Sequence, residues 1–199
     1  MDNHSIFQVP GIRPRDLEYL KQVGNYRYYK RKVLTLRNGR CEFCGVLDSS
    51  VNRVVVEMGP WRAWTNVVAP LVGQKYQFVI APLRHSEHFH HLNNAESVGL
   101  TTIIGRLNDL YDLTGYAMFL RSGDPSINAR SVAHTHMNIV IADGTQDVKP
   151  ILGKSRETVA ADLRVLVIFE KMRLMEEQGN PDPFNSLPCE EQELVCKRL

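Results

Sequence analysis

The sequence predicts an α+β fold: an antiparallel sheet flanked by helices, with an additional long helix toward the C-terminus. Three observations predict it. Short strand-like runs gather around one central helix-length segment instead of alternating with helices, which argues against a doubly wound parallel sheet. That segment, from about Ala95 to Asp112, sets Val98, Leu100, Ile103, Ile104, Leu107, Leu110 and Tyr111 at helical period. Beyond Pro150, the run from Arg156 to Glu177 carries Val159, Leu163, Val165, Leu166, Ile168, Phe169 and Met172 before Gly179-Asn180-Pro181 stops it.

Taken in order, residues 1–40 read as an N-terminal arm with a short amphipathic helix, Pro14 to Leu20, opened by its proline. The stretch from Asn25 to Arg40 interleaves Tyr26, Tyr28 and Tyr29 with Arg27, Lys30, Arg31 and Lys32. It reads first as a solvated face, with phosphate or RNA contact as the alternative. Residues 41–145 form the main domain, with strands expected at Val51 to Met58, Trp61 to Val67, Tyr76 to Ile80, Tyr116 to Leu120 and His134 to Ile141. Residues 146–199 form a C-terminal helical extension. Its apolar face is wider than a lone surface helix needs, which suggests a dimer interface or packing across the sheet. Cys189 and Cys196, at i and i+7, are expected to pack.

With 199 residues, 43% of them hydrophobic and 23% charged, the chain can bury a full core. A formal net charge of +2 gives no reason to expect general nucleic-acid binding. No apolar run approaches the roughly 20 residues of a membrane span, and Met1-Asp2-Asn3-His4 does not open a signal peptide, so a cytoplasmic location is expected.

The segment Ser131 to Ile141 carries the chemistry. His134, His136 and Asn138 fall on every second position of an apolar run, hence on one face of a strand, with Ala133, Met137 and Ile139 on the other. A lone histidine there would read as a satisfied core residue, but two at i, i+2 followed by Asn need another explanation. The loop leading in, from Arg121-Ser122-Gly123 through Arg130 and Ser131, has the composition of an anion cradle, which points to phosphate. Cys41-Glu42-Phe43-Cys44 is a C-x-x-C pair flanked by glycines, which suits a metal knuckle better than a redox helix start; the remaining ligands would be histidines.

These residues resemble the histidine triad (HIT) superfamily, whose motif reads H-x-H-x-H, or H-x-H-x-Q in the nucleotidyltransferase and dinucleoside tetraphosphate phosphorylase branches. Here it reads H-T-H-M-N. Tyr76 to His85, an apolar strand ending in Pro82-Leu83-Arg84-His85, is similar to the family's second signature, and Met118 to Gly123 occupies the strand and glycine loop before the triad. The resemblance covers about residues 41 to 142. It implies an antiparallel sheet that often dimerises and a structural Zn²⁺ held by Cys41, Cys44, His85 and His134. His88, His90 and His91 crowd the same segment and could replace His85, although a solvated position suits them better.

The resemblance further implies that His136 attacks the α-phosphorus of a nucleotide and forms a covalent nucleotidyl-histidine, its second ring nitrogen held by a backbone carbonyl near Asn138. Ser131, Asn138 and the amides around Gly123 are expected as oxygen-stabilising donors. Asn66 and Gln77 fall at ribose-side positions, Trp64 near the base, and Arg121 and Arg130 where guanidinium forks can hold a second phosphate. The departure is Asn138, which cannot serve as a general acid; a leaving group that needs no protonation, such as pyrophosphate, fits it best. The expected function is thus a nucleotidyl hydrolase or transferase acting on a dinucleoside polyphosphate, nucleoside triphosphate or activated nucleotide. The alternatives are a nucleotide-binding regulatory module without turnover, or a zinc-stabilised domain that binds RNA or protein.

Overall fold

The structure is a computed structural model that describes residues 26, 29, 30, 33, 38, 41–45, 53–66, 71–123, 132–150, 152–153 and 155–197. The chain divides into two compact units: Cys41–Asp124 with Val132–Leu152, and Met1–Arg40 with Pro125–Ser131 and Gly153–Leu199.

The first unit is built on strands β1 (Val54–Met58), β2 (Trp61–Thr65), β3 (Gln74–Pro82), β4 (Ala117–Arg121) and β5 (His136–Ala142), with helix α1 (Asn94–Tyr111) between β3 and β4. All pairs are antiparallel and the sheet order is β1-β2-β3-β5-β4. The period of two sorts the strands onto two faces. Trp61, Ala63, Phe78, Ile80, Met137 and Ile139 point to one side and form a core with Ile103 and Leu107 of α1. Trp64, Val79 and Ala81 cluster on the other side. Parity and register place Gln77, Phe119, Arg121, His136 and Asn138 on that second face.

α1 starts where the sequence supplies a capping box. The Asn93 carboxamide accepts from the Glu96 amide and Glu96 accepts from the Asn93 amide, each at 2.9 Å. Buried Glu96 also takes two hydrogen bonds from Arg84, and its carbonyl accepts from the Trp61 indole at 2.6 Å. One carboxylate thus ties the end of β3 to the start of the helix. Gly99 lets α1 approach this closely, since a Cβ there would stand 3.0 Å from Pro60 and 3.1 Å from Trp61.

The second unit contains α2 (Arg156–Glu177) and α3 (Cys189–Cys196). Ser155 caps α2 by accepting from the Thr158 amide. The wide apolar face of α2 is used inside its own unit: Val165, Leu166, Ile168, Phe169 and Met172 pack with Tyr29, Val33, Leu187 and Val195. Tyr26 and Tyr29, from the basic stretch, stand 5.5 Å from the Phe169 ring, so these two tyrosines serve the core. Cys189 and Cys196 are exposed, contrary to expectation, because Val195 is the residue α3 turns inward. The expected helix at 14–20 lies outside the described residues. Among the described residues no helix is long and apolar enough to cross a membrane.

Candidate functional site

β5 begins at His136, two residues later than expected; His134 lies in the bend before it and is fully buried. The bend has a purpose in hydrogen bonding. The Thr135 amide leaves the sheet ladder to donate to the Ser86 carbonyl at 2.6 Å, and the His134 ring turns toward the C-x-x-C knuckle. His134 Nε2 lies 2.9 Å from the Pro82 carbonyl; a carbonyl only accepts, so Nε2 carries the proton and Nδ1 is the nitrogen that faces the cysteines.

That Nδ1 stands 3.4 Å from Cys41 Sγ and 3.5 Å from Cys44 Sγ, while His85 Nδ1 is 3.2 Å from Cys44 Sγ. All four ligand atoms lie within 4.8 Å of one another. Around an ion with bonds of about 2.3 Å to sulfur and about 2.1 Å to nitrogen, tetrahedral ligands sit about 3.6 Å apart, so the spacing fits a Cys₂His₂ metal site. The bond from His134 Nε2 to Pro82 is the outer contact that fixes a ligating imidazole. Desolvation, and after it the Cys41 charge and hydrogen bond, push the Cys44 thiol up to about 12. Two adjacent sulfurs that resist ionising together are what a divalent cation would relieve.

The same bend holds His136. Its Nδ1 donates to the His134 carbonyl at 2.7 Å, which makes Nε2 the nitrogen bearing the lone pair. The anchoring carbonyl is therefore that of His134, not one near Asn138, because the bend turns the His134 carbonyl back along the strand. Arg121 is the register partner of His136 on β4; its guanidinium lies 5.0 Å from the Phe119 ring and burial lowers its pKa. Gln77 Nε2 donates to Asn138 Oδ1 at 3.2 Å, which leaves Gln77 Oε1 and Asn138 Nδ2 buried without a hydrogen-bond partner among the described residues. Asn66 follows β2, and its amide donates to the Gln77 carbonyl.

One expected donor is committed elsewhere. The Gly123 amide, at φ +81°, donates to the Glu87 carbonyl at 3.1 Å, and the Ser122 hydroxyl accepts from the Phe89 amide. Positive φ turns this amide toward the preceding segment, so it stitches two loops together instead of facing an anion. Arg130 and Ser131 lie outside the described residues.

Two participants escaped the sequence reading. Phe43, inside the C-x-x-C, sets its ring 5.2 Å from His136 at 90°, 5.8 Å from His134 and 4.8 Å from Trp64. A large aromatic within a metal knuckle was the available signal. Thr135 is buried with an unpartnered hydroxyl among the described residues, between the two histidines.

No family model and no curated protein matches the chain. Structural neighbours are histidine triad proteins of low identity. A hypothetical histidine triad nucleotide-binding protein from Sulfolobus tokodaii is 14% identical, covers 71% of this chain and 97% of its own, with a TM-score of 0.40. A HIT family hydrolase from Legionella pneumophila is 20% identical over 56% of this chain and 98% of its own, TM-score 0.42. The diadenosine triphosphate hydrolase of Plasmodium falciparum is 14% identical over 66% and 80%, TM-score 0.40.

Proposed function

We propose that this chain is a nucleotidyl hydrolase or transferase in which His136 is the nucleophile and the substrate is a nucleotide with a polyphosphate or similarly good leaving group. The observation that carries the reading is the bond from His136 Nδ1 to the His134 carbonyl: it sets the tautomer in which Nε2 is nucleophilic, on the sheet face that also carries Arg121 and Asn138. Nε2 attacks the α-phosphorus, the bond from phosphorus to the bridging oxygen breaks, and the departing phosphate chain carries away the electron pair. Water or phosphate then displaces His136 from the nucleotidyl-histidine and yields the nucleotide product.

Arg121 opposes the charge of the phosphate chain, and Asn138 Nδ2, buried without a partner among the described residues, is a donor for a phosphoryl oxygen. Neither the Arg121 guanidinium nor the Asn138 amide can protonate a leaving group, which is why pyrophosphate or a nucleoside polyphosphate is favoured. Cys41, Cys44, His85 and His134 would hold Zn²⁺ with four protein ligands, a structural crosslink from the knuckle to the chain beyond β3 and before β5.

A second reading, a nucleotide-binding module without turnover, is favoured by the Gln77–Asn138 bond, which takes up one face of the amide in the third motif position. Intact-protein mass spectrometry after brief incubation with ATP, GTP, UTP, a nucleotide sugar and diadenosine tetraphosphate separates the two. A nucleoside monophosphate adduct, absent in His136→Asn, supports the enzyme; binding with neither adduct nor product refutes it.

A further inference from the structure

Just past His85 the chain makes a 3₁₀ turn, Phe89–His91, preceded by His88. The rings of His88, His90 and His91 form a compact triangle with centroid separations of 5.1, 5.1 and 4.4 Å. They make no hydrogen bond or ion pair with any described residue, and His90 and His91 are exposed. We propose that this turn is a second metal site, an imidazole-only seat for a divalent transition ion such as Ni²⁺ or Cu²⁺, separate from the Cys₂His₂ cluster.

The spacing carries the argument. With metal–nitrogen bonds of about 2.1 Å, each ring centroid stands about 3.2 Å from the ion, so two imidazoles sharing it have centroids about 4.5–5.2 Å apart across octahedral to tetrahedral geometry. Two sides of the triangle, 5.1 Å each, fall within this range, and the third, 4.4 Å between His90 and His91, lies just below it. The one histidine pair inside the Cys₂His₂ cluster, His85 and His134, also falls within it, at 5.2 Å. Only Cys41, Cys44, His85 and His134 already converge their ligand atoms among the described residues. In the triangle the nitrogens would have to turn inward by rotation about the Cβ–Cγ bonds, a movement that leaves the ring centroids in place.

The backbone beneath the rings is already held. The Phe89 amide donates to Ser122 Oγ at 2.8 Å, Ser86 Oγ to the His88 carbonyl at 2.8 Å, and Arg84 Nη2 to the His91 carbonyl at 2.9 Å. The His91 amide closes the turn onto the His88 carbonyl. A pinned turn lowers the ordering cost of binding. Arg84 is the nearby cation, and its charge is met by the two oxygens of Glu96. Three neutral imidazoles with water in the remaining positions suit borderline ions, with Cu²⁺ the tightest.

The test uses the full chain loaded with zinc and titrated with Ni²⁺ by calorimetry, with both metals counted on the recovered protein. Wild type is expected to take up nickel beyond the zinc it holds. His88→Asn, His90→Asn and His91→Asn should each weaken nickel binding at least about tenfold, and the triple variant should abolish it, with zinc content and circular dichroism unchanged. Absence of nickel uptake beyond the zinc, or uptake indifferent to all three substitutions, overturns the proposal.

Discussion

The carbonyl of His134 accepts the Nδ1 proton of His136 at 2.7 Å, while the His134 ring faces Cys41 and Cys44. One residue therefore positions the proposed nucleophile with its backbone and the proposed metal site with its side chain. The pairing dictates a tautomer, because a carbonyl cannot donate. Nitrogen-15 NMR of the neutral His136 imidazole should find Nδ1 protonated and Nε2 of pyridine type. The reverse assignment would remove Nε2 as the attacking atom.

Gln77 and Asn138 carry a stability cost that the proposed nucleotide site would explain. Each is buried with one amide group unpartnered among the described residues, and each such group costs about 1–3 kcal/mol. The double variant Gln77→Met/Asn138→Leu replaces both by apolar chains of similar length. It should raise the unfolding free energy by about 1–2 kcal/mol, read as a higher denaturant midpoint, while nucleotide binding falls. A destabilised double variant would mean that the pair is satisfied in solution.

The proposed metal site would tie the chain at 41–44 to His85 and His134, segments far apart in sequence. Removing the crosslink should expose that dependence. Zinc analysis is expected to give about one ion per chain, lost in Cys41→Ser/Cys44→Ser, and a chelator should lower the thermal midpoint of the wild type but not of the variant. A chelator-insensitive wild type that contains no zinc would leave the cysteines as free thiols.

Glu96 links α1 to β3, and its pH dependence has a definite sign. The Arg84 hydrogen bonds lead the causes that hold its carboxyl below the ordinary value, followed by a smaller opposing effect of burial and then by the Asn93 amide. A depressed folded pKa contributes stability that is present above the unfolded value, about 4.3, and is lost as pH falls through the folded one. Glu96→Gln keeps the capping geometry but loses the charge. It should cost about 1–2 kcal/mol at neutral pH, since Arg84 is half exposed, and flatten the loss of stability that sets in below about pH 4. An unchanged acid limb would assign that limb to other carboxylates.

Periodicity made the sheet and both long helices legible: Ile103 and Leu107 announce the buried face of α1, and alternation around Phe78 and Ile139 announces strands with one face in the core. What escaped depends on contacts between distant segments. The Gly123 amide reads as an anion donor until Glu87 is found in front of it, and the His136 anchor is displaced because Thr135 bonds to Ser86 and bends the chain before β5. Neither partner has a local signal. The α2 face looked surplus because its partners, Tyr29 and Val33, sit in a basic stretch that reads as surface.

In the helical unit the ion pair of Arg173 and Glu170 is buried in the core beside Tyr29, and Arg173 also pairs with half-exposed Glu177. Arg173 donates through Nε and Nη2 to both oxygens of Glu170, at 2.8 and 2.6 Å, and Tyr29 donates to Glu170 at 2.8 Å. Arg173 and Glu170 are each 1% exposed. Burial makes the pair costly to assemble and costlier to halve. Arg173→Met removes the guanidinium that pairs with both Glu170 and Glu177 and should cost about 3–5 kcal/mol by chemical denaturation, whereas Glu170→Gln/Arg173→Met, which also removes the buried carboxylate charge and keeps an acceptor for Tyr29, should recover most of the loss. If the single variant is as stable as the double, Glu170 is met by water or by another group once Arg173 is gone. If the double is the worse of the two, the ion pair is a net contributor to the core, the less common outcome for buried charges.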